Sequence, residues 1–143
     1  MAIFTATLVA RHSDKLASVL AESTANGAEV VQWDYVQGKK NQIWNLEATT
    51  GGYYLVRATH SNKCLSVLAE DTADGAQVVQ WDYVQGKQNQ EWKLIQRDDY
   101  YYFSLEARHS GKLLSVLAAG TANGDKLVQW ADENKPNQHF RLG

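Results

Sequence analysis

The sequence predicts an all-β fold made of three copies of one unit of about 48 residues, with about four strands per copy and twelve in all. The first observation is the repeat itself, because about 25 of 34 positions are identical between residues 11–44 and 59–92, with no gap. Residues 108–140 continue the same frame, with one residue fewer before Asn137. The second observation is that each copy consists of short runs of β-branched, leucine and aromatic residues between turn signals.

The second copy shows the pattern of one unit most clearly. Strands are predicted at residues 53–58, 65–68, 78–81 and 92–95, with polar loops at 71–75 and 84–89. The Ser-Val-Leu-Ala segments would also suit a helix, but they are too short between turn residues, because an isolated helix needs ~12–15 residues. We therefore interpret them as strands.

The number of copies decides how the units assemble. A four-stranded propeller blade has a similar period, but propellers typically have about 4–8 blades. Three copies are too few for such a ring, whereas three copies close a β-trefoil. The prediction is one domain over residues 1–143, with repeats at about 1–51, 52–99 and 100–143 around a pseudo-threefold axis.

Composition argues against several classes of partner. The formal net charge is -2 without a basic block, so no nucleic-acid partner is expected. No apolar run reaches the ~18 residues of a membrane span, so no membrane insertion is expected. The N-terminal residues lack a secretory signal pattern. The single cysteine, Cys64, cannot form an internal disulfide and is interpreted as a core residue. These features predict a cytoplasmic protein, or one released without a signal peptide.

The sequence shows no pattern of catalytic or metal-binding residues. His12, His60 and His109 recur once per copy, each followed by serine, in a segment that the pattern indicates is a turn. Adjacent residues in a turn do not make a nucleophile–base pair, and the histidines lack metal-ligand spacing. No glycine-rich phosphate loop is present. We therefore predict no enzymatic activity, no cofactor and no metal.

A Gln-x-aromatic motif closes each copy. It stands as Gln42-Ile43-Trp44, Gln90-Glu91-Trp92 and Gln138-His139-Phe140, each preceded by asparagine. Together with the His-Ser-x-Lys turn and the Thr-Ala-Asn/Asp-Gly loop, this pattern resembles the ricin-B-type trefoil lectins over essentially the whole chain. The resemblance implies a non-catalytic module that binds glycans, and it places the three motif aromatics in the core.

The resemblance also implies one sugar pocket per copy, built from a side chain of the second strand, an aromatic residue ending the third strand, and an Asn-Gln pair. The corresponding residues are Ser18, Trp33, Asn41 and Gln42 in copy 1, Ser66, Trp81, Asn89 and Gln90 in copy 2, and Ser115, Trp130, Asn137 and Gln138 in copy 3. The indoles of Trp33, Trp81 and Trp130 either stack on the apolar face of a sugar ring or are further core or loop-anchoring residues.

One departure from the family pattern bears on specificity. Galactose-binding members usually carry aspartate where this chain has the three serines, and a serine offers one hydroxyl in place of a charged acceptor. Galactose or GalNAc is the ligand that the resemblance implies, and the serines indicate an altered site. Asp34 and Asp82 either supply the missing carboxylate or cap a turn. In copy 3 the loop after Trp130 differs in sequence, so its site is predicted to be weaker or different.

Other functions also fit a trefoil. A protein-binding module such as a protease inhibitor acts through one idiosyncratic loop, whereas this chain repeats its loops nearly verbatim, which favours multivalent binding of identical small ligands. An engineered scaffold would explain the similarity of copies 1 and 2 but not the divergence of copy 3. The aromatic run at residues 100–103 alternates faces on a predicted strand and could seed a homodimer.

Overall fold

A computed structural model of the chain describes residues 3–97 and 101–143. Its strands are β1 (Ile3–Ala6), β2 (Leu8–Ala10), β3 (Leu16–Val19), β4 (Val30–Trp33), β5 (Trp44–Ala48), β6 (Tyr53–Ala58), β7 (Cys64–Val67), β8 (Val78–Trp81), β9 (Trp92–Gln96), β10 (Phe103–Ala107), β11 (Leu113–Val116), β12 (Leu127–Trp130) and β13 (Phe140–Leu142). Between them lie short 3-10 turns at Leu20–Glu22, Lys40–Gln42, Leu68–Glu70, Gln88–Gln90, Leu117–Ala119 and Pro136–Gln138. No helix in the described ranges is long and apolar enough to cross a bilayer.

The strand pairing closes a barrel. Strands β1, β5, β6, β9, β10, β13 and β2 pair in that order, all antiparallel, and β1 and β2 are consecutive segments of the chain. Three hairpins, β3–β4, β7–β8 and β11–β12, cap this barrel. Isolated bridges join the hairpins to one another around the axis. A six-stranded barrel capped by three hairpins is a β-trefoil, which confirms the predicted fold.

The sequence predicted twelve strands, but the structure has thirteen in the described residues, because the first strand of copy 1 is divided into β1 and β2. Residues up to Ala6 pair with β5, whereas residues from Leu8 pair with β13. Between them, the backbone of Thr7 exchanges hydrogen bonds with Gly143, at 3.3 Å and 3.0 Å. The break therefore marks the point at which the chain changes its pairing partner.

The second strand of copy 2 ends one residue earlier than predicted. Leu68 begins a tight turn in which Ala69 and Glu70 have φ of 58° and 56°, a left-handed conformation that cannot continue a strand. The equivalent turns follow β3 and β11. The Ser-Val-Leu-Ala segments, which were predicted to be strands, are thus the end of a strand followed by a 3-10 turn.

The core is threefold, and the aromatic residues of the repeated motif lie at its centre. Trp44, Trp92 and Phe140 are fully buried, as predicted. Trp44 Nε1 donates a hydrogen bond to the Ala17 carbonyl at 3.0 Å, and Trp92 Nε1 donates to the Leu65 carbonyl at 2.9 Å. Each indole therefore ties the last strand of its copy to the second strand while it fills the barrel.

The repeated histidines join one copy to the next. The Nε2 atoms of His12, His60 and His109 lie 2.6, 2.7 and 2.8 Å from the carbonyl oxygens of Gly120, Ser23 and Asp71 in the preceding copy. A carbonyl oxygen only accepts, so Nε2 is the protonated nitrogen in each ring. The same three carbonyls accept a second hydrogen bond from the buried amides of Gln32, Gln80 and Gln129. These turn histidines therefore stabilise the contacts between copies.

Cys64 is fully buried, as a core residue should be, and burial raises the pKa of its thiol to about 11. Because the thiolate is the reactive form, we expect no reaction with a thiol reagent at pH 8 in the folded protein, and one equivalent after unfolding in guanidinium. The unfolded thiol has a pKa near 9.0 and loses its proton first. The free energy of unfolding should therefore decrease above about pH 9. Rapid labelling of the folded protein would contradict this expectation.

The aromatic run at residues 100–103 is not a continuous strand in the part that is described. Strand β10 begins only at Phe103, and Tyr100 lies outside the described residues. Tyr101 lies in a turn and is exposed. The Tyr102 ring lies against the guanidinium of Arg11, whose carbon is 4.4 Å from the ring centroid. A homodimer formed through these residues stays a prediction.

Candidate sugar pockets

Three related pockets lie at equivalent positions of the three copies. Each is bounded by the end of the second strand, the left-handed 3-10 turn, the end of the third strand and the Asn-Gln pair. Their cavity volumes are about 260, 270 and 330 Å³ for copies 1, 2 and 3. Because small-molecule sites span about 300–1,000 Å³ and these volumes lie close to the lower limit, each pocket fits one sugar ring rather than a long chain.

Four of the predicted residues in each copy meet in these pockets. In copy 1, Ser18, Trp33, Asn41 and Gln42 all line the cavity. The corresponding residues of copy 2 are Ser66, Trp81, Asn89 and Gln90, and those of copy 3 are Ser115, Trp130, Asn137 and Gln138. The resemblance therefore identified residues that are close together in space although they are up to 24 positions apart in copy 1.

The buried glutamine of each copy hydrogen-bonds to the pocket serine and to the backbone of the loop after the tryptophan. Gln42 Nε2 donates to the Ser18 hydroxyl at 3.2 Å and to the Asp34 carbonyl at 2.8 Å, and its Oε1 accepts from the Val36 N–H at 2.9 Å. Gln90 and Gln138 make the same three bonds in their copies. The glutamine thus fixes the loop after the tryptophan against the second strand.

The pocket serines have little hydrogen-bonding capacity left for a ligand. Ser18 is buried, its hydroxyl donates to the Leu16 carbonyl at 2.9 Å, and its oxygen accepts from Gln42. Ser66 and Ser115 are bonded in the same way. A hydroxyl has one proton and two lone pairs, so one acceptor position remains. The serines are therefore poor replacements for the family's charged acceptor.

Each asparagine lines its pocket and is hydrogen-bonded to the end of the second strand. Asn41 Nδ2 donates to the Val19 carbonyl at 2.9 Å, and Asn89 and Asn137 donate to Val67 and Val116 at the same distance. The Oδ1 atoms of Asn41 and Asn89 are buried and have no hydrogen-bond partner among the described residues. An unpaired buried acceptor is costly, so these two amides are held in place at some expense of stability.

The tryptophans at the pockets are partly exposed, which excludes the alternative that they are core residues. Trp33 and Trp81 expose 38% and 40% of their surface, and Trp130 is partly exposed. Each indole lies against a glycine of the preceding copy. A Cβ placed on Gly27 would lie 3.6 Å from Cζ3 of Trp81, and Gly75 and Gly124 face Trp130 and Trp33 in the same way. One side of each ring is therefore supported and another faces the pocket.

The aspartates beside the tryptophans do not line the pockets. Asp82 accepts from Asn26 of the preceding copy at 3.1 Å, its N–H donates to Asn26 at 2.8 Å, and Lys63 lies 3.4 Å away. Asp34 is bound in the same way by Asn123 and Lys15. Neither aspartate lines a pocket, so neither supplies the missing carboxylate; each carboxylate instead bonds to an asparagine side chain of the preceding copy, which the capping alternative did not anticipate.

Electrostatics agree with this placement of the aspartates. The hydrogen bond from Lys15, and then that from Asn123, lowers the pKa of Asp34. The hydrogen bond from Asn26, followed by that from Lys63, lowers the pKa of Asp82. Both carboxylates are therefore ionised and already bonded to lysine and asparagine side chains of this chain. In copy 3 the aspartate is replaced by Ala131, and its N–H donates to Asp74, which stands where the other loops carry asparagine.

A carboxylate that was not predicted lies at the rim of the first two pockets. Glu22 and Glu70 line their cavities and pair with Lys39 and Lys87 at 3.0 and 3.1 Å. Glu22 and Glu70 both have φ of 56°, which is strained for a residue other than glycine. The one signal in the sequence is that Ala-Glu occurs in copies 1 and 2, whereas copy 3 has Ala118-Ala119.

The third pocket differs from the others, as its loop sequence predicts. Its rim has Ala119 in place of the glutamate, and Glu133 and Lys135 line it instead. Arg97 and Asp132 form an ion pair at 3.0 Å beside this loop. Burial alone would raise the pKa of Asp132, but hydrogen bonds from the Asn134 backbone and from Arg97 lower it overall. No group of three potential metal ligands occurs within the described ranges.

Comparisons with known proteins agree with this architecture. The family profile of the ricin-type beta-trefoil lectin domain matches residues 4–140. A designed threefold-symmetric protein, ThreeFoil, is similar with a TM-score of 0.93 and 43% identity over 96% of each chain. The exo-beta-1,3-galactanase 1,3Gal43A from Clostridium thermocellum is 35% identical, with a TM-score of 0.91, over 96% of this chain and 29% of that chain.

A more distant structure shows the same fold. The ricin B-like lectin of Macrolepiota procera, solved in complex with lactose, has a TM-score of 0.83 at 17% identity, over 97% of this chain and 94% of that chain. No curated protein matches the sequence. The repeated Gln-x-aromatic motif, the trefoil barrel and the profile match over residues 4–140 lead to one assignment. This chain belongs to the ricin-type β-trefoil lectin family.

Proposed function

We propose that this lectin is a non-catalytic, multivalent glycan-binding module in which pockets 1 and 2 bind a single sugar unit equally well and pocket 3 binds it more weakly. The observation that carries the proposal is the partly exposed indole of Trp33 or Trp81 beside an asparagine amide and a glutamate–lysine pair. The ring provides a flat apolar surface for the C–H face of a sugar. The polar groups on the rim provide donors and acceptors for its hydroxyls.

Galactose-containing glycans are the ligands that we propose first. Three similar proteins support this choice by what they act on or bind: an exo-beta-1,3-galactanase, a lectin bound to lactose, and the Polyporus squamosus lectin bound to Neu5Aca2-6Galb1-4GlcNAc. The serines in the pockets indicate that the hydrogen bonds between protein and sugar differ from those of the family. Glu22 and Glu70 line the pockets and are the carboxylates that we propose accept hydrogen bonds from the sugar hydroxyls. GalNAc-containing glycans are included because the pocket walls are largely apolar and suit an N-acetyl methyl group.

A glycan array followed by isothermal titration calorimetry tests the proposal. We expect binding to galactose-containing glycans, with two strong sites and one weak site per chain, and the loss of one strong site in Trp33→Ala and in Trp81→Ala. Tyr101→Ala, a substitution of an exposed aromatic outside the pockets, is the control. An array without any bound glycan, together with tight binding to a protease that free sugar does not compete, would favour the protease-inhibitor alternative.

The rim glutamates are expected to contribute strongly to binding. Glu22→Gln together with Glu70→Gln should weaken binding at pockets 1 and 2 about tenfold, because hydrogen bonds to a charged acceptor contribute ~1.5–3 kcal/mol and neutral bonds less. Ala119→Glu should strengthen pocket 3, since it restores the carboxylate at the same left-handed position. Calorimetry measures both effects. Unchanged affinity in both variants would show that the glutamates do not contact the ligand.

A further inference from the structure

Copies 1 and 2 share the loop Trp-Asp-Tyr-Val-Gln-Gly-Lys, but the tyrosine of this loop has different surroundings in the two copies. In copy 2, the guanidinium carbon of Arg57 lies 4.9 Å from the centroid of the Tyr83 ring. The residue of copy 1 equivalent to Arg57 is Val9. The strand pairing shows this equivalence, since Val9 is opposite Leu16 in copy 1 and Arg57 is opposite Cys64 in copy 2. Tyr35 is accordingly 64% exposed, against 43% for Tyr83.

The short side chain of Val9 leaves a cavity beside Tyr35. This cavity has a volume of about 490 Å³, and Val9, Leu16, Tyr35 and Arg141 are among its lining residues. Arg141 is partly exposed and lies 3.8 Å from Asp14, which also lines the cavity. In copy 2, the side chain of Arg57 extends over Tyr83 and pairs with Glu47 at 3.5 Å, so it occupies the corresponding space.

The cavity adjoins the sugar pocket of copy 1. The two share Val36, Lys39 and Gln42 as lining residues, so the loop that carries Val36 and Lys39 is the ridge between them. A sugar ring held at Trp33 therefore has its neighbouring unit within reach of this second cavity. The tyrosine ring offers an apolar face, and the guanidinium of Arg141 and the carboxylate of Asp14 offer a donor and an acceptor for hydroxyls.

We propose that this cavity is a second subsite, present in copy 1, for the next sugar unit of an oligosaccharide anchored at Trp33. The proposal rests on the proposed function, because it requires a sugar in the first pocket. It makes the two strong sites unequal: copy 1 discriminates between monosaccharides and longer glycans, whereas copy 2 binds both alike. The specificity of the lectin for longer glycans would then come from Val9, a position outside the repeated motif.

The test isolates each site. A chain with Trp81→Ala and Trp130→Ala keeps pocket 1, and a chain with Trp33→Ala and Trp130→Ala keeps pocket 2. For each chain, calorimetry measures the affinity for galactose, for lactose and for β1,3- and β1,6-linked digalactose. We expect at least one disaccharide to bind roughly fivefold to tenfold more tightly than galactose at pocket 1, as one added aromatic contact allows, and none to do so at pocket 2.

Substitutions then assign the difference to the cavity. In the pocket 1 chain, Tyr35→Ala and Val9→Arg should each reduce the preference for disaccharides to the level of pocket 2. Tyr83→Ala in the pocket 2 chain is the matched control and should leave the ratio unchanged, whereas Arg57→Val there should raise it. Tyr35 is exposed, so we expect Tyr35→Ala to fold. It therefore still tests the subsite if Val9→Arg, a change at a buried residue, does not fold.

The outcomes separate the two proposals. Binding of galactose at both pockets with equal disaccharide ratios, or a preference at pocket 1 that survives Tyr35→Ala, would overturn the subsite while it leaves the lectin function intact. The absence of any binding of the four sugars to either chain would overturn the galactose assignment and the subsite together.

Discussion

Trp92→Ala is expected to lower the free energy of unfolding by about 3–5 kcal/mol, the range measured when a large buried aromatic is truncated. Trp92 is fully buried in the barrel, so its removal leaves a cavity that the surrounding strands cannot fill. The substitution also removes the donor to the Leu65 carbonyl, which is then left unpaired inside the protein. Urea unfolding followed by tryptophan fluorescence and circular dichroism measures the change.

The chain offers its own matched control for this substitution. Copy 3 has Phe140 at the position of Trp92, and that phenylalanine is fully buried in an equivalent place. Trp92→Phe keeps most of the ring and loses only the indole hydrogen bond and some volume, so we expect a loss of roughly 1–2 kcal/mol. If alanine and phenylalanine destabilise the protein equally, the packing role assigned to this ring is wrong.

The trefoil could be predicted because its determinants are local and are repeated. Strands 53–58 and 78–81 agree with the structure residue for residue, since β-branched and aromatic runs between turns need no tertiary information. The break at Thr7 could not be predicted in this way. It depends on the change of pairing partner from β5 to β13, which is a property of the closed barrel.

The pocket was predictable only to the extent that its residues belong to one copy. Trp33, Asn41 and Gln42 come from a single repeat, so the family motif identifies them together. Asp34 was open to two interpretations because its partner Asn123 lies 89 positions away, in another copy. Contacts between copies leave no trace in the pattern of one repeat.

The rim glutamates and the cavity beside Tyr35 were missed for different reasons. Glu22 reaches its pocket only because two successive residues adopt left-handed φ, which propensity does not anticipate for alanine and glutamate. The cavity arises from Val9, which looks like an ordinary strand residue until it is compared with Arg57 in space. Both features arise at positions where otherwise similar repeats differ, Glu22 against Ala119 and Val9 against Arg57.

Trp33→Ala combined with Trp81→Ala is expected to abolish agglutination of glycan-bearing cells or beads, although pocket 3 is still present. Cross-linking needs at least two working sites per chain, and simultaneous contacts contribute about 10²–10⁴ in avidity over a single contact. Either substitution alone should remove one strong site from the calorimetric stoichiometry. It should leave the affinity of the other strong site for a monosaccharide unchanged, while the agglutination titre falls at least about tenfold.

Trp130→Ala provides the comparison, because pocket 3 lacks the rim glutamate and should contribute little to cross-linking. We expect its agglutination titre to stay close to that of the unmodified protein. All variants must keep the unmodified unfolding midpoint, because each indole also lies against a glycine of the neighbouring copy, as Trp81 does against Gly27. If agglutination and monosaccharide binding decline in the same proportion in each single variant, the sites act independently. The pseudo-threefold repetition would then serve the fold and not avidity.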